Sequence, residues 1–135
     1  MIVGLGTDLL AVARMEAELR ADGGFRDTVF TPAEIAYCEA MRHPEQHYAA
    51  RFAAKEALLK ALGDDGRAGM RWREVEVRRD ASGRPELVLH GATRALAESM
   101  TADAVFVTLA HTAETAAATV VLESRREPGG GRRNG

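Results

Sequence analysis

Cysteine and lysine are scarce in this chain of 135 residues, and long apolar runs are missing. The one cysteine, Cys38, cannot form an internal disulfide or a zinc cage. A reducing cytoplasm is therefore the expected setting. No apolar run approaches the roughly 20 residues that cross a bilayer, so a membrane partner is not expected. Met1 to Leu10 reads as a glycine-bearing strand rather than a basic-then-apolar leader. Positive charge is also short in the body of the chain. Residues 125–135 carry four arginines and one Glu127; without them 14 basic residues face 19 acidic ones, a net of −5. An acidic body argues against nucleic-acid binding. That tail (RREPGGGRRNG) has nothing apolar to bury, so residues 124–135 are expected to be a disordered Gly/Arg-rich extension of a single domain over residues 1–123.

What is present is the composition of a globular domain, 46% hydrophobic and 28% charged. Ile2–Leu9 alternates and reads as a strand, and 11–20 reads as an amphipathic helix. Thr31-Pro32-Ala33-Glu34 opens a helix that runs to about Met41, with Pro44 closing the segment. A longer helix spans Tyr48–Leu62 and stops at Gly63. Trp72–Arg79 and Glu86–Leu89 flank the turn DASGR as a hairpin. A helix over 92–100 and strands over 104–109 and 115–122 complete the chain, with His111 in the last connection. No internal repeat is visible. The order predicts an α+β fold with a mostly antiparallel sheet packed against helices.

Only two of the 18 basic residues are lysines, Lys55 and Lys60, and they flank Glu56. On a wheel of roughly 100° per residue, Lys55 falls inside the apolar stripe of Tyr48, Phe52, Leu59 and Leu62. A charge there needs a partner, so it forms an internal salt bridge or snorkels to the surface. Glu56 lies to one side of the stripe. Gly4, Gly6 and Asp8 share one strand face, and two glycines on such a face mean that a backbone or a ligand comes close. Asp8 and Glu56 could share one hard cation such as Mg²⁺, which takes one or two carboxylates and fills its sphere with phosphate oxygens and water. Lys60, one turn beyond Glu56, could hold a phosphate beside it. The set suggests diphosphate chemistry. Cys38 reads as a small apolar residue, His43 and His47 as exposed, and His90 has no assigned role.

Four segments, MIVGLGTDLLAVAR (1–14), RFAAKEALLKALG (51–63), DASGRP (80–85) and TLAHT (108–112), stand in an order that resembles the holo-acyl-carrier-protein synthases, the small 4′-phosphopantetheinyl transferases. The likeness covers about residues 1–123. It implies an α+β fold and transfer of the phosphopantetheine arm of coenzyme A to a serine of an acyl carrier protein, with release of adenosine 3′,5′-bisphosphate. It also implies a cytoplasmic homotrimer with active sites at subunit interfaces. By the same likeness Asp8 and Glu56 are the Mg²⁺ ligands and Lys60 the diphosphate contact. Arg51, Gly63 and His111 are coenzyme A contacts, and the helix bearing Arg14 is the carrier-docking helix. Two positions depart from the family. Gly63-Asp64-Asp65-Gly66 puts carboxylates in a loop suited to phosphate, and Ala110 stands where a serine is usual. A binding-only paralogue is the alternative that those departures would allow.

Overall fold

The computed structural model describes residues 1–21 and 23–126. The expected tail therefore falls mostly outside the described residues. Three antiparallel strands form the main sheet: β1 (Ile2–Ala11), β4 (Ala104–His111) and β5 (Thr115–Glu123), in the order β1-β5-β4. The hairpin β2 (Val75–Arg79) and β3 (Pro85–Leu89) is a separate two-stranded sheet. Among the described residues six helices surround them: α1 (Val12–Arg20), α2 (Phe25–Val29), α3 (Pro32–Glu39), α4 (Pro44–Leu62), α5 (Asp64–Gly69) and α6 (Gly91–Ser99). The α+β expectation holds, with one helix at its centre.

Six buried alanines (49, 50, 53, 54, 57 and 61) make α4 thin enough to lie directly on the sheet. The sheet answers with Gly4 and Gly6. A methyl group on Gly6 would overlap the Ala57 carbonyl oxygen, and one on Gly4 would overlap that of Ala61. The close approach foreseen for the two glycines is thus made by a helix backbone. On the same sheet face Ala116, Ala118, Val120 and Leu122 of β5 are buried, in strict alternation with half-exposed neighbours. β5 is therefore a central strand covered by α4 on one face only.

Several local expectations are corrected. Pro44 does not close a segment; it sits in the first turn of α4, where its missing N–H costs nothing. The residues after Gly63 are not a loop but the short α5. Trp72–Glu74 is a 3₁₀ turn, and the strand begins only at Val75. The five-residue α2 was not anticipated. Its helix is too short to show a period, and it is held by burying Val29 and Phe30.

Thr31 and Glu34 make a complete capping box at α3, with Glu34 N–H donating to Thr31 Oγ1 (3.2 Å) and Thr31 N–H to Glu34 Oε1 (2.9 Å). Glu34 is buried because Lys55 Nζ donates to the same oxygen at 2.7 Å. Val77 N–H donates to its other oxygen at 2.8 Å. Lys55 also donates to the carbonyls of Val29 (2.8 Å) and Trp72 (3.0 Å). The internal salt bridge is the outcome for Lys55, and it ties α2, α3, α4 and β2 together. Burial still pulls the lysine below its ordinary pKa, with Glu34 opposing.

Candidate active site

The β1–α4 contact brings three of the expected site residues together. Asp8 continues the Gly4–Gly6 face of β1 and Glu56 and Lys60 project from α4 beside it. Lys60 Nζ donates to Asp8 Oδ1 and to the Thr7 carbonyl, both at 3.0 Å. Lys60 therefore pairs with Asp8, not with Glu56. Asp8 and Glu56 line one open cleft of about 330 Å³, with Arg14, Met15 and Glu18 of α1 and Phe52 of α4 around it. Burial raises the Glu56 pKa, the Asp8 charge raises it further, and Lys60 and Arg14 oppose the shift. Two carboxylates in one cleft, the Asp8 charge disfavouring that of Glu56, suit a divalent cation. No group of three or more His, Cys, Asp or Glu side chains that could hold a metal occurs among the described residues, so a cation here relies on two protein ligands.

Arg51 and His111 meet elsewhere. They line a second cleft with His47, Arg79, Leu109 and Ala110. Arg51 is only 2% exposed. Its guanidinium lies 4.0 Å from the Tyr37 ring centre, and its Nε has no hydrogen-bond partner among the described residues. Among those residues no carboxylate lies within salt-bridge distance of it. His111 ends β4, and its Nδ1 donates to Gln46 Oε1 at 3.1 Å. His47 stands at the start of α4 but is not exposed as expected from sequence. It is half-buried, packed edge-on against both the Tyr37 and the His111 rings.

Gly63 ends α4 with φ +73°, in open space, its N–H donating to the Lys60 carbonyl. Asp64 and Asp65, a concern for phosphate binding, are both exposed, and the Asp64 side chain points fully into solvent. The residue missed by sequence reasoning is His47. Its signal was present: it stands one turn before Arg51, on the same face of α4.

The model of the 4′-phosphopantetheinyl transferase superfamily matches residues 4–120. The chain is 45% identical over 124 residues to a holo-[acyl-carrier-protein] synthase of Geobacter sp. (strain M21), covering 91% of this chain and 99% of that one. The chain belongs to this superfamily. Among solved structures it is similar to the Neisseria meningitidis holo-[acyl-carrier-protein] synthase, with a TM-score of 0.80 at 30% identity, over 92% of this chain and 100% of that one. It is also similar to a Bacillus anthracis holo-(acyl-carrier-protein) synthase in complex with CoA (3′,5′-ADP), with a TM-score of 0.73 at 31% identity, over 92% and 98%. As a phosphopantetheinyl transferase the chain keeps its carboxylate pair and its buried arginine on different sides of α4. Glu56 and Arg51 are five residues apart, about 140° around the helix. The first cleft opens at the β1 edge of the sheet and the second at the β4 edge, with β5 between them.

Proposed function

We propose that this chain performs its family's transfer with the two clefts in separate roles. The reaction moves the 4′-phosphopantetheine arm of coenzyme A onto a serine of an apo acyl carrier protein and releases adenosine 3′,5′-bisphosphate. A bond forms between the serine oxygen and the β-phosphorus while the bond from that phosphorus to the leaving bisphosphate breaks. The serine proton passes to a base. The observation that carries the reading is that Asp8 and Glu56 line one cleft with Lys60 bonded to Asp8, in a chain that matches the transferase superfamily over residues 4–120.

Asp8 and Glu56 are the residues that would hold Mg²⁺. When bound, it supplies charge stabilisation to the phosphoryl oxygens. Lys60 is then released from Asp8 to a diphosphate oxygen, as a compact point charge on a flexible stem. Arg51 and His111 take coenzyme A in the second cleft, and Gly63 leaves the end of α4 open beside Lys60. Arg14 on α1 borders the first cleft, so α1 is where the carrier protein docks, with Met15 buried beneath it.

Because α4 separates the clefts within one chain, a coenzyme A that uses both takes them from two protomers. The outer sheet face supports such an assembly. Leu5, Val121 and Phe106 form one row, Thr7, Thr119 and Thr108 the next, Leu9, Ala117 and Ala110 the third, and none is charged. Leu9 is 72% exposed and Leu5 64%. The reading is therefore a cytoplasmic homotrimer serving fatty-acid synthesis or a related carrier pathway.

The test is mass spectrometry of an apo carrier protein incubated with coenzyme A and Mg²⁺. A gain of one phosphopantetheine unit is expected, and no gain across a panel of carriers would leave only a binding module. Asp8→Asn and Glu56→Gln should each slow transfer by about 10²–10³-fold, as loss of one charge-stabilising group does, with melting temperatures near wild type. Near-normal rates in both at saturating Mg²⁺ would remove the two-carboxylate site.

A further inference from the structure

The second cleft gathers four nitrogen-bearing side chains from three elements: His47 and Arg51 from α4, Arg79 from β2 and His111 from β4. Among the described residues no carboxylate lines it. The arginines are held from behind. Arg51 stacks on Tyr37, and Arg79 donates from Nε to the Tyr37 hydroxyl and from a terminal nitrogen to the Gly83 carbonyl, both at 2.7 Å. Neither spends its charge on an acid among the described residues. The His47 and His111 ring centres are 5.1 Å apart, inclined at 66°.

Coenzyme A carries two anionic features, a bridging diphosphate and a 3′-phosphate monoester. If the diphosphate lies at Asp8, Glu56 and Lys60, the monoester is the anion left for a purely cationic cleft. We propose that His47 is a further recognition residue of this cleft and that, by taking up a proton as the ligand docks, it selects the 3′-phosphate monoester of coenzyme A over the same molecule without it. This rests on the coenzyme A reading above and adds to it a residue and a pH dependence.

The charge balance explains why His47 can serve as a proton gate. The groups facing it are Tyr37 from α3, Glu45 and Arg51 from α4, Arg79 from β2 and His111 from β4. Only Glu45 is acidic, and it also lies 3.7 Å from His43. Burial lowers the His47 pKa, and the charges of His111, Arg51 and Arg79 lower it further. The free protein thus disfavours the protonated form of His47. A phosphate monoester is close to a dianion at about pH 7, since its second pKa is about 6. Docking reverses the local field, raises the His47 pKa and draws in a proton, which adds a charge-assisted hydrogen bond. The sign follows. A group whose pKa rises on binding contributes its full affinity below its free-state pKa. That contribution is lost as pH rises through the bound-state pKa. Below about pH 6 the ligand itself loses charge, so the effect is read between about pH 6 and about pH 8.

Calorimetric titration of the full chain tests this, with coenzyme A and with 3′-dephospho-coenzyme A, Mg²⁺ in every arm and buffers of different ionisation enthalpy. Wild type should take up about one proton per coenzyme A near neutral pH, and its affinity should fall several-fold toward alkaline pH. Dephospho-coenzyme A should show neither effect. His47→Phe keeps a ring against Tyr37 and His111 but cannot be protonated. It should lose the uptake, flatten the pH profile and narrow the preference for coenzyme A by about tenfold, the worth of one hydrogen bond to a charged group. His47→Gln, polar but not titratable, serves where the phenylalanine fails to fold and should show the same flattening. If the variants keep wild-type proton uptake and preference, the role of His47 is overturned while the coenzyme A reading stands. If wild type binds the two ligands equally, the cleft is not a monoester site and the proposal falls while the coenzyme A reading stands; if it binds neither, both fall.

Discussion

Lys55 and Lys60 are five residues apart on one helix and meet opposite environments. Lys55 is fully buried and spends three hydrogen bonds on Glu34, Val29 and Trp72. Lys60 is half-exposed and pairs with Asp8, which lines the open cleft. Removing the first strands the Glu34 carboxylate in the core, so Lys55→Met should cost about 3–5 kcal/mol of stability, read by denaturant unfolding. The second tests chemistry instead. An arginine at 60 would fork onto Asp8 in a bidentate pair and hold it away from a cation. Lys60→Arg should lower kcat/KM for coenzyme A by about tenfold to a hundredfold, somewhat less than losing a charge-stabilising donor outright, with the melting temperature unchanged. Wild-type kinetics would make the scarcity of lysine an accident of composition.

At the scale of elements, the contact between β1 and α4 carries both fold and site. It exists because Gly4 and Gly6 let the carbonyls of Ala61 and Ala57 sit where side chains would be. Gly6→Ala must push α4 off the sheet, and overpacking of this kind costs about 1–3 kcal/mol or more. The same shift moves Glu56 and Lys60 away from Asp8. The variant should therefore lose activity at temperatures where circular dichroism still reports it folded; a folded variant with full activity would uncouple the contact from the site. Both glycines and the three charged residues were legible in sequence, because period-2 and period-3.6 spacing place them on facing surfaces. The partner of Lys55 was not, since Glu34 lies 21 residues away and is brought over by the capping box of α3. Nor was the burial of His47, which depends on Tyr37 and His111 arriving from two other elements. Short elements such as α2 and α5 carry too few residues for a period and were lost for that reason.

At the scale of the whole molecule, one sheet edge carries the carboxylates and the opposite edge carries the cleft of His47, Arg51, Arg79 and His111, while an uncharged face with Leu5, Leu9 and Phe106 exposed lies between them. The closed cyclic assembly proposed above would resolve all three features at once, because each interface in a ring joins one edge of a protomer to the other edge of its neighbour. The arrangement has a consequence that a self-sufficient monomer lacks. Glu56→Gln spoils only the first cleft and His111→Ala only the second. Each variant alone should be nearly inactive. When the two are mixed, unfolded together and refolded, some sites combine the intact first cleft of one chain with the intact second cleft of the other. Random assortment makes that roughly one site in four, so about a quarter of wild-type activity should return. Size-exclusion chromatography with light scattering should give three copies for each variant and for the mixture. Activity no greater than the sum of the two separate variants, in a mixture that has exchanged subunits, would mean that each chain completes its own site.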